Sequence, residues 1–207
     1  MPTLMHAVIF DVDGTLLDSV SQDEGLYKLA VEEVVGEVSF RSGLHDYDIV
    51  TDTGILQQVF DDNSINADQQ IVEAIKSRFF DLLEEYIDGV GPLREMPGAR
   101  AFLERLDASE SYHVAIATGG WRRSAQMKLD TAGFAAARLH LATSDDALTR
   151  EAIMKKALQL IGTECASVTY YGDGAWDRRA CERLGWRFRP VGPALGGLLS
   201  FDNEFLT

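Results

Sequence analysis

Cysteine is scarce in this chain. Only Cys165 and Cys181 occur in 207 residues, and neither stands at metal-ligand spacing. That excludes a disulfide scaffold and a thiolate zinc site, and it fits a reduced, cytoplasmic setting. Long apolar runs are also missing. The opening MPTLMHAVIFD meets an aspartate almost at once and carries no basic leader, so neither a signal peptide nor a membrane helix is expected. Positive charge is in short supply, with 19 Lys and Arg against 33 Asp and Glu, a net charge of −14. A nucleic-acid backbone or an anionic membrane needs a basic face, so neither is an expected partner. The acidity favours solubility. It leaves small phosphorylated substrates open, provided a metal neutralises charge locally. Repeats and low-complexity tracts do not occur.

What is present is 46% hydrophobic content, enough for one full core and a small second one. Four short apolar runs, at 7–10, 114–117, 139–142 and 168–171, read as strands buried on both faces of a parallel sheet. Helix-period segments fall at 98–106, 121–132, 150–161 and 175–184, and a further short strand is expected near 186–188. Strands alternating with helices predict a doubly wound α/β domain. The stretch from Leu17 to about Leu93 breaks the alternation. It reads as a helix at 23–35, a polar middle, and a helix at 68–87 carrying Ile71, Ile75, Phe79, Leu82, Leu83 and Tyr86 at three- and four-residue spacing. A plain crossover needs far fewer residues. This stretch is therefore expected to be an all-helical insertion that leaves after the first strand and returns before the second.

The first strand delivers Asp11 and Asp13 to the carboxyl edge of the sheet, where open α/β folds place their ligands. A carboxylate there can hold Mg²⁺ through hard oxygen ligands or attack phosphorus, and its neighbour can serve as general acid and base. Gly14 permits a tight turn, and Thr15 can help fix it. Alone, the segment is equally an acidic turn after a strand. The second strand ends AIATGG, so Thr118, Gly119 and Gly120 precede a helix. That is either a phosphate cradle of hydroxyl and backbone N–H groups or a capping threonine on a flexible turn. The last run gives YYGDGAWD, placing Asp173 and Asp177 at the same edge. Clustered carboxylates are costly without a cation, which a divalent metal relieves, with Asp173 as direct ligand and Asp177 acting through water or as an orienting group. An acidic helix start explains them equally well.

Taken in order, FDVDGT, AIATGG and YYGDGAWD resemble the haloacid dehalogenase-like hydrolase superfamily over the whole chain. The resemblance implies a Rossmann-like core from 1–16 and 94–207 and a helical cap from 17–93. It also implies Mg²⁺ and an aspartyl-phosphate intermediate. By position, Asp11 corresponds to the nucleophile and a metal ligand. Asp13 corresponds to the acid/base that also offers its carbonyl to the metal, Thr118 to the phosphate-binding hydroxyl, and Asp173 and Asp177 to the acidic metal motif. The dehalogenating branch lacks the second aspartate because a halide leaves without a proton, so Asp13 favours phosphoryl chemistry.

One element departs from the pattern. Members of the superfamily usually supply a lysine, often followed by proline, between the second and fourth motifs. Here SDDALTREAIMKKAL offers Arg150 at a helix start, with Lys155 and Lys156 later. Arg150 can offset charge at Asp11 and grip a phosphoryl oxygen. The alternative is a surface pair with Asp145 or Asp146. Within the insertion, Arg41, His45, Asp52 and Thr53 are candidates to reach substrate, with His45 also readable as a surface histidine. Lys28 is expected to face solvent, which disfavours Schiff-base chemistry. Trp121 is either a pocket wall or packing. The leading expectation is a phosphatase of the phosphoglycolate phosphatase-like kind acting on a small phosphorylated metabolite. A β-phosphoglucomutase-like phosphomutase and a non-catalytic regulatory module remain as alternatives, and the oligomeric state is open.

Overall fold

The computed structural model describes residues 5–205. Its elements run β1 (His6–Phe10), β2 (Leu17–Asp18), α1 (Val20–Val35), α2 (Asp52–Asp62), α3 (Gln69–Val90), β3 (Arg94–Glu95), α4 (Ala99–Asp107), β4 (Tyr112–Ala117), α5 (Arg122–Thr131), β5 (His140–Ala142), α6 (Arg150–Ile161), β6 (Ser167–Gly172), α7 (Ala175–Leu184) and β7 (Arg187–Pro190). Five strands form one parallel sheet in the order β5-β4-β1-β6-β7.

The apolar runs bury both faces, as expected of a parallel sheet. Val8 and Phe10 of β1 join Val114, Ile116 and Tyr171 on the face covered by Phe102 and Leu106 of α4 and Leu129 of α5. Ile9 turns to the other face, with Ala115, Ala117 and Tyr170, beneath Ile153 and Ala157 of α6 and Cys181 of α7. Helices on both faces make this the doubly wound, Rossmann-like α/β fold. The strand order reverses between β1 and β6. A crevice opens there beyond the strand ends, because successive connections leave to opposite sides.

Between β2 and β3, which pair antiparallel, the chain builds a helical layer with its own apolar core. α3 has the strong periodicity expected of it, and Asp68 caps it by accepting from Ile71 N at 3.0 Å. α2 lies where the sequence reads as a polar middle. Thr51 caps it by accepting from Gly54 N at 3.1 Å, and Ile55, Leu56, Val59 and Phe60 are buried on one face. Trp121 at the start of α5 belongs to this second core, packed against Tyr27, Phe79 and Phe80, and is therefore packing rather than pocket wall. Among the described residues no helix is long and apolar enough to cross a membrane.

Candidate active site

β1 and β6 end side by side at the topological switch point. Asp11 N donates to Tyr171 O at 2.9 Å, extending the parallel ladder by one residue and fixing the Asp11 side chain at the crevice. Its Oδ1 accepts from Val12 N at 2.8 Å, and its Oδ2 accepts from Arg150 Nη2 at 3.1 Å. Asp173 follows β6, and Asp177 lies in the first turn of α7, where its Oδ2 accepts from Gly174 N at 3.2 Å. One carboxylate oxygen from each of Asp11, Asp173 and Asp177 lies within 4.8 Å of the others. Gly14 makes the convergence possible. Its φ of +74° is a left-handed conformation, and a Cβ there would stand 2.2 Å from Asp173 Oδ2.

Three carboxylates so close together repel one another. Burial, then the charges of Asp11 and Asp177, push the Asp173 pKa up to about 8. Burial also raises Asp177, to about 7, with Arg150 working against the rise and Asp11 adding to it. Three hard oxygen donors this close, two of them with raised pKa, are compatible with a divalent cation between them. The Asp13 carboxylate stands outside the group of three.

Arg150 opens α6, with Thr149 as its N-cap, and reaches back into the crevice. Its Nε lies 3.4 Å from Asp177 Oδ1, near enough for charge pairing but not aligned for a hydrogen bond. Nε and Nη1 are both buried, and among the described residues neither has a hydrogen-bond partner. Burial opposes its charge, but Asp11 and Asp177 outweigh that and hold its pKa well above the ordinary arginine value. The surface pairing weighed from the sequence is not formed. Asp145 pairs with Lys76 and Asp146 with Arg122. Lys155 and Lys156 are exposed on α6 and do not line the crevice.

Thr118 is buried at the end of β4. Its N donates to Ala142 O at 3.1 Å, and its Oγ1 accepts from Gly120 N at 3.1 Å. Gly119 is needed for close approach, since a Cβ there would lie 3.0 Å from Val50 O and 3.2 Å from Arg150 Cζ. Thr118, Gly119 and Gly120 all line the same cleft as Asp11, Asp13, Arg150 and Asp173.

Asp13 is held by a group that the motif reading did not single out. Ser19 Oγ donates to its Oδ1 at 2.5 Å, and Lys128 Nζ donates to Oδ1 at 2.8 Å and to Oδ2 at 2.6 Å. The same ammonium donates to Asp23 Oδ1 of α1 at 2.6 Å. Lys128 is 1% exposed. Burial works against its charge, but Asp13 and then Asp23 outweigh it and raise its pKa. Burial and Asp13 push Asp23 up to about 6, with Lys128 opposing. The signal was periodicity. Ser124, Ala125, Lys128 and Leu129 form the buried face of α5, so a lysine stands where the helix needs an apolar residue.

The helical layer meets the crevice through other polar contacts. Asp52 N donates to Gly119 O at 2.8 Å, and Asp52 Oδ2 accepts from Trp121 N at 2.8 Å, satisfying a free donor at the start of α5. Thr53 Oγ1 accepts from Trp121 Nε1 at 3.0 Å and does not line the cleft. Arg41 and Asp52 line it, while His45 is exposed beside Asp46 and does not. Lys28, expected in solvent, lines the cleft paired with Glu24, because the turn of α1 that buries Tyr27 brings its neighbour to the rim.

A family model described as haloacid dehalogenase-like hydrolase matches residues 5–185. The chain belongs to the haloacid dehalogenase-like hydrolase family and is a hydrolase. No curated protein matches it in sequence. In structure it is similar to a hydrolase from Pseudomonas syringae, with TM-score 0.72 and 23% identity, covering 89% of this chain and 83% of that one. A putative phosphoglycolate phosphatase from Lactobacillus plantarum aligns with TM-score 0.64 and 15% identity over 99% and 93% of the two chains. The β-phosphoglucomutase of Clostridium difficile aligns with TM-score 0.71 and 12% identity over 91% and 85%. At these identities the likeness is one of fold.

The raised carboxylates of the hydrolase give a test of the cation site. In the metal-free fold Asp173 and Asp177 hold protons up to about 8 and about 7, above their ordinary 3.8. The folded state then binds more protons than the unfolded chain, so stability is lost as pH rises through those values. With chelator present, the melting temperature should fall from about pH 4, the ordinary carboxyl range, to about pH 8, by roughly 2–4 °C per kcal/mol lost. Saturating Mg²⁺ should remove most of the fall. Melting curves in EDTA and in Mg²⁺ across that range check this, and a flat profile in EDTA would count against the site.

Proposed function

We propose that the chain is a Mg²⁺-dependent phosphatase that hydrolyses a small organic phosphomonoester through an aspartyl phosphate on Asp11. The observation that carries the reading is the buried Arg150 guanidinium beside Asp11, which keeps Nε and Nη1 without hydrogen bonds. Unpaired cationic donors in a dry site are costly unless an anion completes them, and a phosphoryl group offers oxygens in a geometry that suits the guanidinium fork. Arg150 thus takes the charge-offsetting role for which the family commonly uses lysine. Asp11, Asp173 and Asp177 would hold Mg²⁺, together with the Asp13 carbonyl. The ion would supply charge neutralisation between Asp11 and the phosphoryl oxygens.

A carboxylate oxygen of Asp11 attacks phosphorus in line, and the bond from phosphorus to the ester oxygen breaks. Asp13 takes up a proton as the phosphate ester enters and gives that proton to the departing alkoxide. The same carboxylate then takes a proton from water, whose oxygen attacks phosphorus and frees Asp11 and inorganic phosphate. Thr118 Oγ, Gly119 and Gly120 line the phosphoryl position, and Arg150 stabilises charge building on its oxygens. The helices from α1 to α3 act as the cap that excludes water, and a cytoplasmic setting belongs to the same reading.

Acid quenching during turnover of a radiolabelled aryl phosphate tests this. Label should appear transiently on the peptide containing Asp11, only with Mg²⁺ present, and at less than one equivalent per chain. Phosphate release with no label on that peptide would refute the nucleophile.

A further inference from the structure

We propose that the cleft selects phosphate esters of uncharged alcohols with an apolar body, and disfavours esters carrying a carboxylate or a second phosphate. This narrows the substrate class of the phosphatase read above and rests on it. The cleft has a cavity volume of about 100 Å³, several times what one water needs, which leaves room for a small organic group beside the phosphoryl position. Its two sides differ in chemistry. The floor, from the α/β domain, is polar and holds Asp11, Thr118, Arg150 and Asp173. The facing wall, from the helical layer, is built of Tyr27, Phe40, Leu44, Val50 and Ile55, with Val20 at its edge.

The decisive feature is what has become of the charges on that wall. Lys28 and Arg41 are its cations, and each already has a carboxylate as its counter-charge. Lys28 Nζ donates to Glu24 Oε1 at 2.6 Å and lies 5.6 Å from the centre of the Phe40 ring. Arg41 donates from Nε and Nη2 to the two oxygens of Asp62 at 2.7 and 3.1 Å. Its Nη1 donates to Asp46 O and to Gln58 Oε1, and its guanidinium lies 5.0 Å from the Tyr47 ring centre. The carboxylates are taken as well, Asp23 by Lys128 and Asp52 by Trp121 N. A carboxylate or second phosphate on the leaving group would meet only cations that already have a counter-charge, close to the acidic side chains of Asp23, Glu24 and Asp52. An aromatic or branched aliphatic alcohol buries its body at no such cost.

Two measurements test this without depending on each other. With Mg²⁺ present, calorimetry should show benzylphosphonate binding more tightly than phosphonoacetate by about tenfold or more. Equal or reversed affinity would overturn the selectivity. Because these phosphonates need no turnover, that order in a protein with no Mg²⁺-dependent phosphatase activity would uphold the selectivity while refuting the phosphatase reading. Second, Leu44→Arg places an unpaired cation on the wall from a half-buried turn position. It should raise kcat/KM for phosphoglycolate relative to benzyl phosphate by about tenfold or more. A folded Leu44→Arg enzyme with the wild-type ratio would overturn the argument from charge.

Discussion

Asp11→Asn should reduce Mg²⁺-dependent ester hydrolysis to background, a fall of about four orders of magnitude or more, while the fold survives. The amide has the shape of the carboxylate and keeps an oxygen for Val12 N. What it loses is the nucleophilic electron pair, which neither Arg150 nor Asp173 can replace. Two electrostatic changes act in opposite directions on stability. Arg150 loses its hydrogen-bonded counter-charge, although Asp177 remains 3.4 Å from Nε. Asp173 loses the carboxylate that is the second largest cause of its raised pKa, after burial. The net change is expected to stay within about 1 kcal/mol either way. The metal-free melting curve carries a further signature. With Asp11 neutral, Asp173 holds its proton less tightly, so the loss of stability with rising pH becomes shallower. Steady-state rates on an aryl phosphate and melting curves in EDTA check both parts. A folded variant with normal turnover would remove Asp11 from the mechanism.

The elements that position this residue were legible in the sequence where periodicity and punctuation agree. The segments 150–161 and 175–184 form α6 and α7 at those residues, because each apolar face is closed by a glycine in left-handed conformation, Gly162 and Gly185. The strand ends were legible because a parallel sheet buries both faces, so an apolar run that meets an aspartate marks the carboxyl edge. α2 was not legible, since its polar residues hide an apolar face that is satisfied in the core of the helical layer, which also holds Tyr27 and Phe79. The site divides in the same way. Asp11, Thr118, Asp173 and Asp177 sit at the ends of strands or in the turns that follow them, where topology alone brings them together. Arg150 could be read as reaching that edge because a helix start faces it, but its partners could not be named. The positions of Lys128 and Asp23 depend on how the helical layer settles on the α/β domain. Those two residues are 105 positions apart, and no motif links them.

Lys128→Met should destabilise the fold by about 3–5 kcal/mol, the scale on which removing one member of a buried ionic group acts. The methionine fills most of the space, so the loss is electrostatic rather than a cavity. It leaves the carboxylates of Asp13 and Asp23 facing each other in a buried site that a single ammonium holds together through three hydrogen bonds. Ser19 Oγ still donates to Asp13, but among the described residues no other side chain or backbone group donates to the Asp23 carboxylate. Adding Asp23→Leu removes the carboxylate that has no other support. The double variant should therefore be more stable than Lys128→Met alone, with a coupling above about 1 kcal/mol between the two positions. Denaturant midpoints of the two single variants and the double variant give that coupling directly. Additive losses would show that the lysine does not hold the two carboxylates together. Activity should separate the two roles of the ammonium. The double variant no longer buries the unsupported Asp23 carboxylate but leaves Asp13 oriented by Ser19 alone. Its stability should therefore recover further than its kcat, because a proton donor that wanders from its position slows the chemical step even in a well-folded enzyme.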